Sequence, residues 1–115
     1  MAIQLRKVYQ NLNAEMLRDE VRDLLKKHGI SVIEVESQTY ALPSGATQSR
    51  ITLVLKAQTK QDEGPKECGS AHIITSPGNE VKMLLDVDEE PVLRDKISLF
   101  QNDLEFILGS YEVKW

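Results

Sequence analysis

The chain is poor in cysteine and in aromatic residues, and it has no long apolar run. Cys68 is its only cysteine, so an intramolecular disulfide and a cysteine-rich zinc site are both excluded. No segment approaches the roughly 18 consecutive apolar residues of a membrane span, and the N-terminus lacks the charged and then apolar pattern of a secretory signal. We therefore expect a cytoplasmic protein without a membrane segment.

Positively charged residues are also fewer than negatively charged ones. The 115 residues include 14 Lys and Arg against 18 Asp and Glu, which gives a formal net charge of −4. Non-specific binding to nucleic acid or to an anionic membrane needs a clustered basic surface. The six Phe, Trp and Tyr residues do not interleave with basic residues along any predicted strand. The composition indicates an acidic protein that binds neither nucleic acid nor membrane.

Two segments have the apolar spacing of amphipathic helices, three to four residues apart. The first lies between Asn13, a predicted N-cap, and Gly29, a predicted C-terminal stop. The second begins near Pro91, which suits a first helical turn, and ends before Gly109. Its main apolar stripe comprises Leu93, Ile97, Phe100, Leu104, Ile107 and Leu108. Each main stripe predicts one face packed against one core.

Alternating and β-branched segments predict strands at residues 2–8, 31–36, 50–57 and 111–115. The Ser-Pro-Gly-Asn sequence at 76–79 predicts a tight turn and therefore a hairpin around it. We expect a long mobile hairpin tip at 37–49 and a solvated connector at 59–67.

With 41% hydrophobic and 28% charged residues, the chain can bury one core, and we expect residues 1–115 to form a single domain. The order of elements predicts an α+β fold of two layers, with a mostly antiparallel sheet and both amphipathic helices on one face. A ferredoxin-like split β-α-β arrangement with an added hairpin is our first topology.

Cys68 and His72 are the first candidates for chemistry, because residues four apart on a strand share a face. Counting back from the predicted turn places Ile74 opposite Val81 and His72 opposite Met83, so that His72 points inward. A catalytic zinc needs about three protein ligands, and no third ligand is placed by the sequence. We expect Cys68 and His72 to have structural roles, and we predict no metal.

Two further motifs are weaker. The acidic run at 86–90 lacks the glycine and the spaced bidentate acid of a calcium loop, and negative charge is favourable at the N-terminus of the following helix. The Pro-Ser-Gly sequence at 43–45 lacks the Gly-Lys-Ser or Gly-Lys-Thr ending of a phosphate loop. The sequence therefore predicts no catalytic, cofactor-binding or metal-binding residue.

The second helix carries an additional apolar strip formed by Val92, Leu99 and Phe106. On a helical wheel this strip lies about 120° from the main stripe, and Lys96 and Asp103 separate the two. The strip must meet the first helix, a loop or another molecule. We predict that it forms an interface with a second copy or with a partner protein.

These observations favour a non-enzymatic interaction or assembly domain that acts as a homo-oligomer or as a subunit of a larger complex. Enzymatic activity is left open, although no catalytic constellation supports it. The alternative is a small-molecule-binding domain or a small enzyme with a pocket between sheet and helices. In that alternative, His72, Cys68 or Tyr40 would provide the polar groups of the pocket.

Overall fold

The computed structural model describes residues 2–57, 66–76, 80–88 and 91–113 and shows a small α+β domain. The predicted mixture of an antiparallel sheet and two helices is confirmed. The elements in chain order are β1 Ala2–Gln10, α1 Ala14–Lys27, β2 Ile30–Ala41, β3 Thr47–Ala57, β4 Lys66–Ser76, β5 Glu80–Asp88, α2 Pro91–Leu108, a 3₁₀ turn Gly109–Tyr111 and β6 Glu112–Val113.

The six strands form one open sheet in the order β2-β3-β4-β5-β1-β6. Every hydrogen-bonded pair of neighbours is antiparallel. It follows that β1 and β2, which α1 connects, run in the same direction with three strands between them. Strands β5 and β6, which α2 connects, are likewise parallel and are separated by β1. The strands at the two edges of the sheet are β2 and β6.

Helix α1 forms where the sequence predicts it. Asn13 caps its N-terminus, since the Asn13 side-chain oxygen accepts a 2.7 Å hydrogen bond from the Met16 backbone N–H. After the helix the chain reverses at Gly29, whose φ of +83° favours glycine. The buried residues of α1 are Ala14, Leu17, Val21, Leu24 and Leu25.

The core is formed by alternating strand residues and by the apolar stripes of both helices. Facing positions of the central strands contribute side chains to it, as in the row Leu53, Ala71 and Leu85. We call the side of the sheet that carries this row the core face. Helix α2 adds Leu93, Ile97, Phe100, Leu104 and Leu108. No polar or charged residue of the described part is buried.

The β2–β3 hairpin is longer and tighter than the sequence predicts. Strand β2 continues to Ala41 and β3 starts at Thr47, so the tip comprises only residues 42–46, with Gly45 at φ +87°. The expectation of a long tip at 37–49 is therefore wrong. A β-bulge between Glu34 and Glu36 interrupts the register. Polar residues pair at the end of this hairpin, as Thr39 does with Ser49, although neither face of that end is buried.

The β4–β5 register differs from the prediction by one residue. Ile74 pairs with Lys82 and His72 pairs with Leu84, because three residues separate Ser76 from Glu80 where the predicted turn has two. A one-residue shift moves every side chain to the opposite face. Ala71 and Ile73 are therefore buried, and His72 points away from the core.

Other predictions fall outside the described residues. These are the tight turn predicted at 76–79, most of the connector at 59–67 and the end of the last strand at 114–115. Within the connector, β4 already begins at Lys66. Tyr111 lies in the 3₁₀ turn and not in the strand. Within the described ranges, neither helix is long and apolar enough to cross a membrane.

Candidate functional site

Leu99 and Phe106 form an exposed apolar strip on α2. They are seven residues apart, which places them on one side of the helix about 10 Å from each other along its axis. Leu99 is 53% exposed and Phe106 is 91% exposed. The side chain of Val92, the third residue of the predicted strip, lies outside the described part of the structure. We call Leu99 and Phe106 the α2 strip.

The strip lies outside the contact between the two helices. Asp103 sits about 40–60° around α2 from Leu99 and Phe106, on the side toward the core. There its carboxylate contacts the end of α1, at 2.8 Å from His28 Nε2 and 3.3 Å from Lys27 Nζ. The exposure of Leu99 and Phe106 contradicts the alternative that α1 covers them.

Electrostatics stabilise this contact between the helices. The hydrogen bond with His28, followed by that with Lys27, lowers the pKa of the Asp103 carboxyl below its usual range. His28, the residue that follows α1, has a mostly covered side chain with one ring nitrogen directed at Asp103. The contact therefore joins the end of α1 to the side of α2 that borders the strip.

Two more apolar residues extend the exposed surface near the end of α2. Ile107 is 43% exposed, and Tyr111 in the 3₁₀ turn is also exposed. The prediction that Ile107 belongs to the buried stripe is therefore wrong. On the helical wheel Ile107 lies at the margin of the buried arc, about 60° from its centre at Leu104. This marginal position is the feature of the sequence that could have indicated its exposure.

His72 and Cys68 are not brought together. Cys68 is 3% exposed and belongs to the core, whereas His72 lies half-buried on the opposite face with Nδ1 3.4 Å from Thr52 Oγ1. Leu55 pairs with Gly69 and Lys56 with Glu67, so Cys68 is the extra residue of a β-bulge. The bulge breaks the alternation on which the prediction of a shared face depends.

The chemistry of Cys68 agrees with a structural role. Burial, and to a smaller extent the charge of Asp88, raises the pKa of the Cys68 thiol. The thiolate is the nucleophilic form, so a raised pKa makes this cysteine unreactive. Tyr40, the third polar group of the alternative function, is exposed near the tip of the β2–β3 hairpin. The three groups do not line one pocket.

A small groove lies between α1 and the β2 edge of the sheet. Its volume is about 180 Å³, and Arg18, Arg22, Val32, Glu34 and Leu53 line it. Arg18 already contacts Asp19 at 3.1 Å and Glu34 at 3.2 Å, and Arg22 contacts Asp23 at 3.4 Å. The charges are therefore paired within the protein, and the groove is smaller than the roughly 300 Å³ lower end of ligand pockets.

The described residues contain no group of three or more His, Cys, Asp and Glu side chains that could hold a metal ion. Of the acidic run, Asp86 and Asp88 lie in β5 and not at the start of α2. The interpretation of those two residues as partners of the helix dipole is therefore wrong. Residues 89–90 lie outside the described part.

The chain was also compared with known proteins. No protein-family model, curated protein or solved structure matches it.

Proposed function

We propose that this protein is a non-enzymatic interaction or assembly domain, acting as a homo-oligomer or as a subunit of a larger complex, and that the α2 strip lies in the interface. The observation that carries the proposal is the 91% exposure of Phe106 in the last turns of a regular helix. Large aromatic side chains are enriched at protein interfaces and are costly to leave in water.

The energetics of the strip fit such a role. Burying a Leu or Phe side chain contributes about 1.5–3 kcal/mol, so Leu99 and Phe106 together are comparable to the few residues that dominate many interfaces. A helix face with isolated apolar side chains surrounded by polar ones also matches the usual pattern of an apolar centre and a polar rim. Asp95 and Asn102 on one side and Lys96 on the other provide that rim.

No specific observation favours the alternative of a ligand pocket between sheet and helices. That pocket needs polar groups directed inward, and the core face of the described residues is apolar. His72 is on the other face of the sheet.

The test is a charge substitution in the strip. We expect Leu99→Glu/Phe106→Glu to remain folded by circular dichroism and to lose the self-association or partner binding that α2 mediates, measured by light scattering and by binding to any partner that co-purifies. Ser98→Glu is the control, because it adds a negative charge at an exposed position on another side of α2. A wild type that is monomeric at high concentration without any partner contradicts the proposal, as does a variant that unfolds.

We also propose that both helices cover the core face and that the strand order is a ferredoxin-like arrangement with the β3–β4 hairpin added. The His28–Asp103 contact and the joint core of both helices support it. Nuclear Overhauser contacts from Leu17 and Phe100 to core-face residues test it.

The partners and the location of the chain complete the proposal. We infer a protein partner in the cytoplasm and none of nucleic acid or membrane, on the basis of the net charge of −4 and the single cysteine. Cell fractionation checks the location. Salt-dependent binding of the chain to nucleic acid in a gel-shift assay would contradict the inference.

A further inference from the structure

Strand β2 is an edge strand with an exposed end. It has 12 residues and, among the described strands, pairs only with β3. From Ile33 to Ala41 every residue is exposed. The other edge strand, β6, has only two described residues. The free edge of β2 is therefore the longest line of backbone in the described structure that could pair with another strand.

The last five residues of β2, 37–41, extend past helix α1. Helix α1 is about 21 Å long and β2 runs back along it from Ile30. Seven strand residues cover about 23 Å. The ion pair between Arg18, early in α1, and Glu34 marks the place where β2 passes the first turns of the helix. We call residues 37–41 the free segment, because it lies beyond the helix that flanks the first half of β2.

The hydrogen bonds of the hairpin show which backbone groups of the free segment are available. The Leu42 N–H donates to the Ala46 carbonyl at 2.8 Å, so the backbone of Leu42 faces β3. In an antiparallel pair, successive residues direct their backbone N–H and C=O groups alternately toward and away from the neighbouring strand. The N–H and C=O groups of Ser37, Thr39 and Ala41 therefore point away from β3.

The partner of Thr39 confirms this alternation. Ser49 lies opposite Thr39, and its N–H donates to Thr75 Oγ1 at 2.7 Å on the side of β4. Its backbone thus faces away from β2, which is the property of a pair that exchanges no backbone hydrogen bonds. The side chains of such a pair are close, and Thr39 Oγ1 and Ser49 Oγ are 3.3 Å apart.

The two halves of β2 differ in what protects them from pairing. In the first half a β-bulge and the charged Glu34 and Glu36 oppose the addition of another strand. The free segment reads Ser-Gln-Thr-Tyr-Ala, without charge and without proline. Threonine and tyrosine are also favourable strand residues.

We propose that the free segment pairs with the same segment of a second copy, antiparallel about a two-fold axis at Thr39. Thr39 then faces Thr39 of the second copy, and Ser37 faces Ala41. All three residues present both backbone groups to the free edge, so each of the three pairs can exchange two hydrogen bonds. Gln38 faces Tyr40 of the second copy, and the two sheets join into one.

The distribution of charge along β2 disfavours registers shifted toward Glu34 and Glu36. With the axis at Thr39, each Glu36 lies opposite a Leu42, outside the paired residues. With an axis at Ser37, Glu36 would face Gln38 and Glu34 would face Tyr40 of the second copy, so charged side chains would lie inside the paired region, where they disfavour the addition of a strand. The neutral segment offers no charge with which to select a foreign peptide, whereas self-pairing satisfies every outward backbone group symmetrically.

Cysteine cross-linking tests the register. Paired Cα atoms about 5.5 Å apart are within reach of a disulfide. We expect Thr39→Cys to form a covalent dimer on mild oxidation. Ser37→Cys and Ala41→Cys should each stay monomeric alone and form a dimer when the two are mixed. Buried Cys68 is the internal control. Equal cross-linking of all three variants, or none by Thr39→Cys, overturns the proposal.

A proline variant tests the backbone contacts in the absence of cross-linking. Thr39→Pro removes an N–H that points away from β3, so the hairpin is retained. In the Leu99→Glu/Phe106→Glu background, where α2 cannot associate, we expect Thr39→Pro to lower the mass in light scattering from twice the 13.0 kDa of the chain to that of a single chain, while Thr39→Ala remains dimeric. A monomeric wild type, or a Thr39→Pro variant that stays dimeric, overturns the proposal.

The two proposals fail separately. Leu99→Glu/Phe106→Glu leaves the free segment intact, so this variant should keep the Thr39→Cys cross-link when the two changes are combined. If the cross-link depends on Leu99 and Phe106, the dimer forms through α2 and the proposal for β2 is wrong. If the cross-link is kept and α2 binds nothing, the proposed role of the α2 strip is the one that fails.

Discussion

Among the four glycines in the described part of the chain, Gly69 leaves the least room for a side chain. A Cβ at this residue would overlap the Asp86 carbonyl oxygen and would lie 2.9 Å from Val87 Cα. Both are backbone atoms of β5, the strand with which Gly69 pairs. A flexible side chain could move aside, but here the backbone of one central strand must move relative to its neighbour. We therefore expect Gly69→Ala to destabilise the domain.

The expected magnitude follows from the cost of overpacking. Extra methyl groups in well-packed interiors cost about 1–3 kcal/mol, and the backbone overlap at Gly69 places this substitution near the upper value. Domains of this kind have free energies of unfolding of about 5–15 kcal/mol. With a urea slope of about 1.5 kcal/mol per molar, a loss of about 3 kcal/mol lowers the unfolding midpoint by about 2 M.

Substitutions at two other glycines distinguish the steric clash at Gly69 from the general effects of replacing a glycine. Gly109→Ala places its Cβ in ordinary contact, 3.8 Å from Glu105 Cγ, and should change the midpoint little. Gly45 has open space around it but a φ of +87°, so Gly45→Ala should cost about 1–2 kcal/mol through backbone strain alone. If Gly69→Ala unfolds at the wild-type urea concentration, or if Gly109→Ala is equally damaging, the close approach of β4 and β5 is refuted.

Three further outcomes are expected. Asn13→Ala should lower the free energy of unfolding by about 1 kcal/mol, because the Met16 N–H loses its cap; an unchanged midpoint would contradict the cap. The pKa of Asp103 is lowered in the folded state, so its contribution to stability is present above the unfolded pKa and is lost as pH falls through the folded one. His28→Ala should raise that pKa in a carboxyl-carbon NMR titration, and an unmoved titration would refute the contact. Cys68 should react with a thiol reagent only after unfolding, since burial raises its pKa; rapid labelling of the native protein would disprove its burial.

Local signals predicted the helices well. The Asn13 cap, the reversal at Gly29 and the apolar spacing of α1 all depend on residues within a few positions of one another. The α2 strip was recognised for the same reason, because Lys96 and Asp103 divide the apolar residues of one helix into two groups. A helical wheel needs no knowledge of the rest of the chain.

The prediction that His72 points toward the core was wrong because it depended on counting alternate residues along a strand. One more residue in the turn after Ser76 shifted the β4–β5 register, and the bulge at Cys68 shifted the alternation within β4. Each of these changes reverses the face on which a side chain lies. Loop length and bulges are set by the packing of neighbouring strands, so periodicity alone does not reveal them.

Strand order is the part of this fold that no local pattern encodes. It determines whether the backbone of the free segment is available for pairing with another strand. The sequence Ser-Gln-Thr-Tyr-Ala resembles a polar loop when it is read alone. Inside a sheet its lack of charge would have no consequence, since both sides of its backbone would be paired. At the edge, beyond α1, the same lack of charge leaves Ser37, Thr39 and Ala41 without the protection that Glu34, Glu36 and the bulge give to the first half of β2. A neutral stretch of five residues thus becomes a pairing surface only through the long-range contacts that place β2 outside β3.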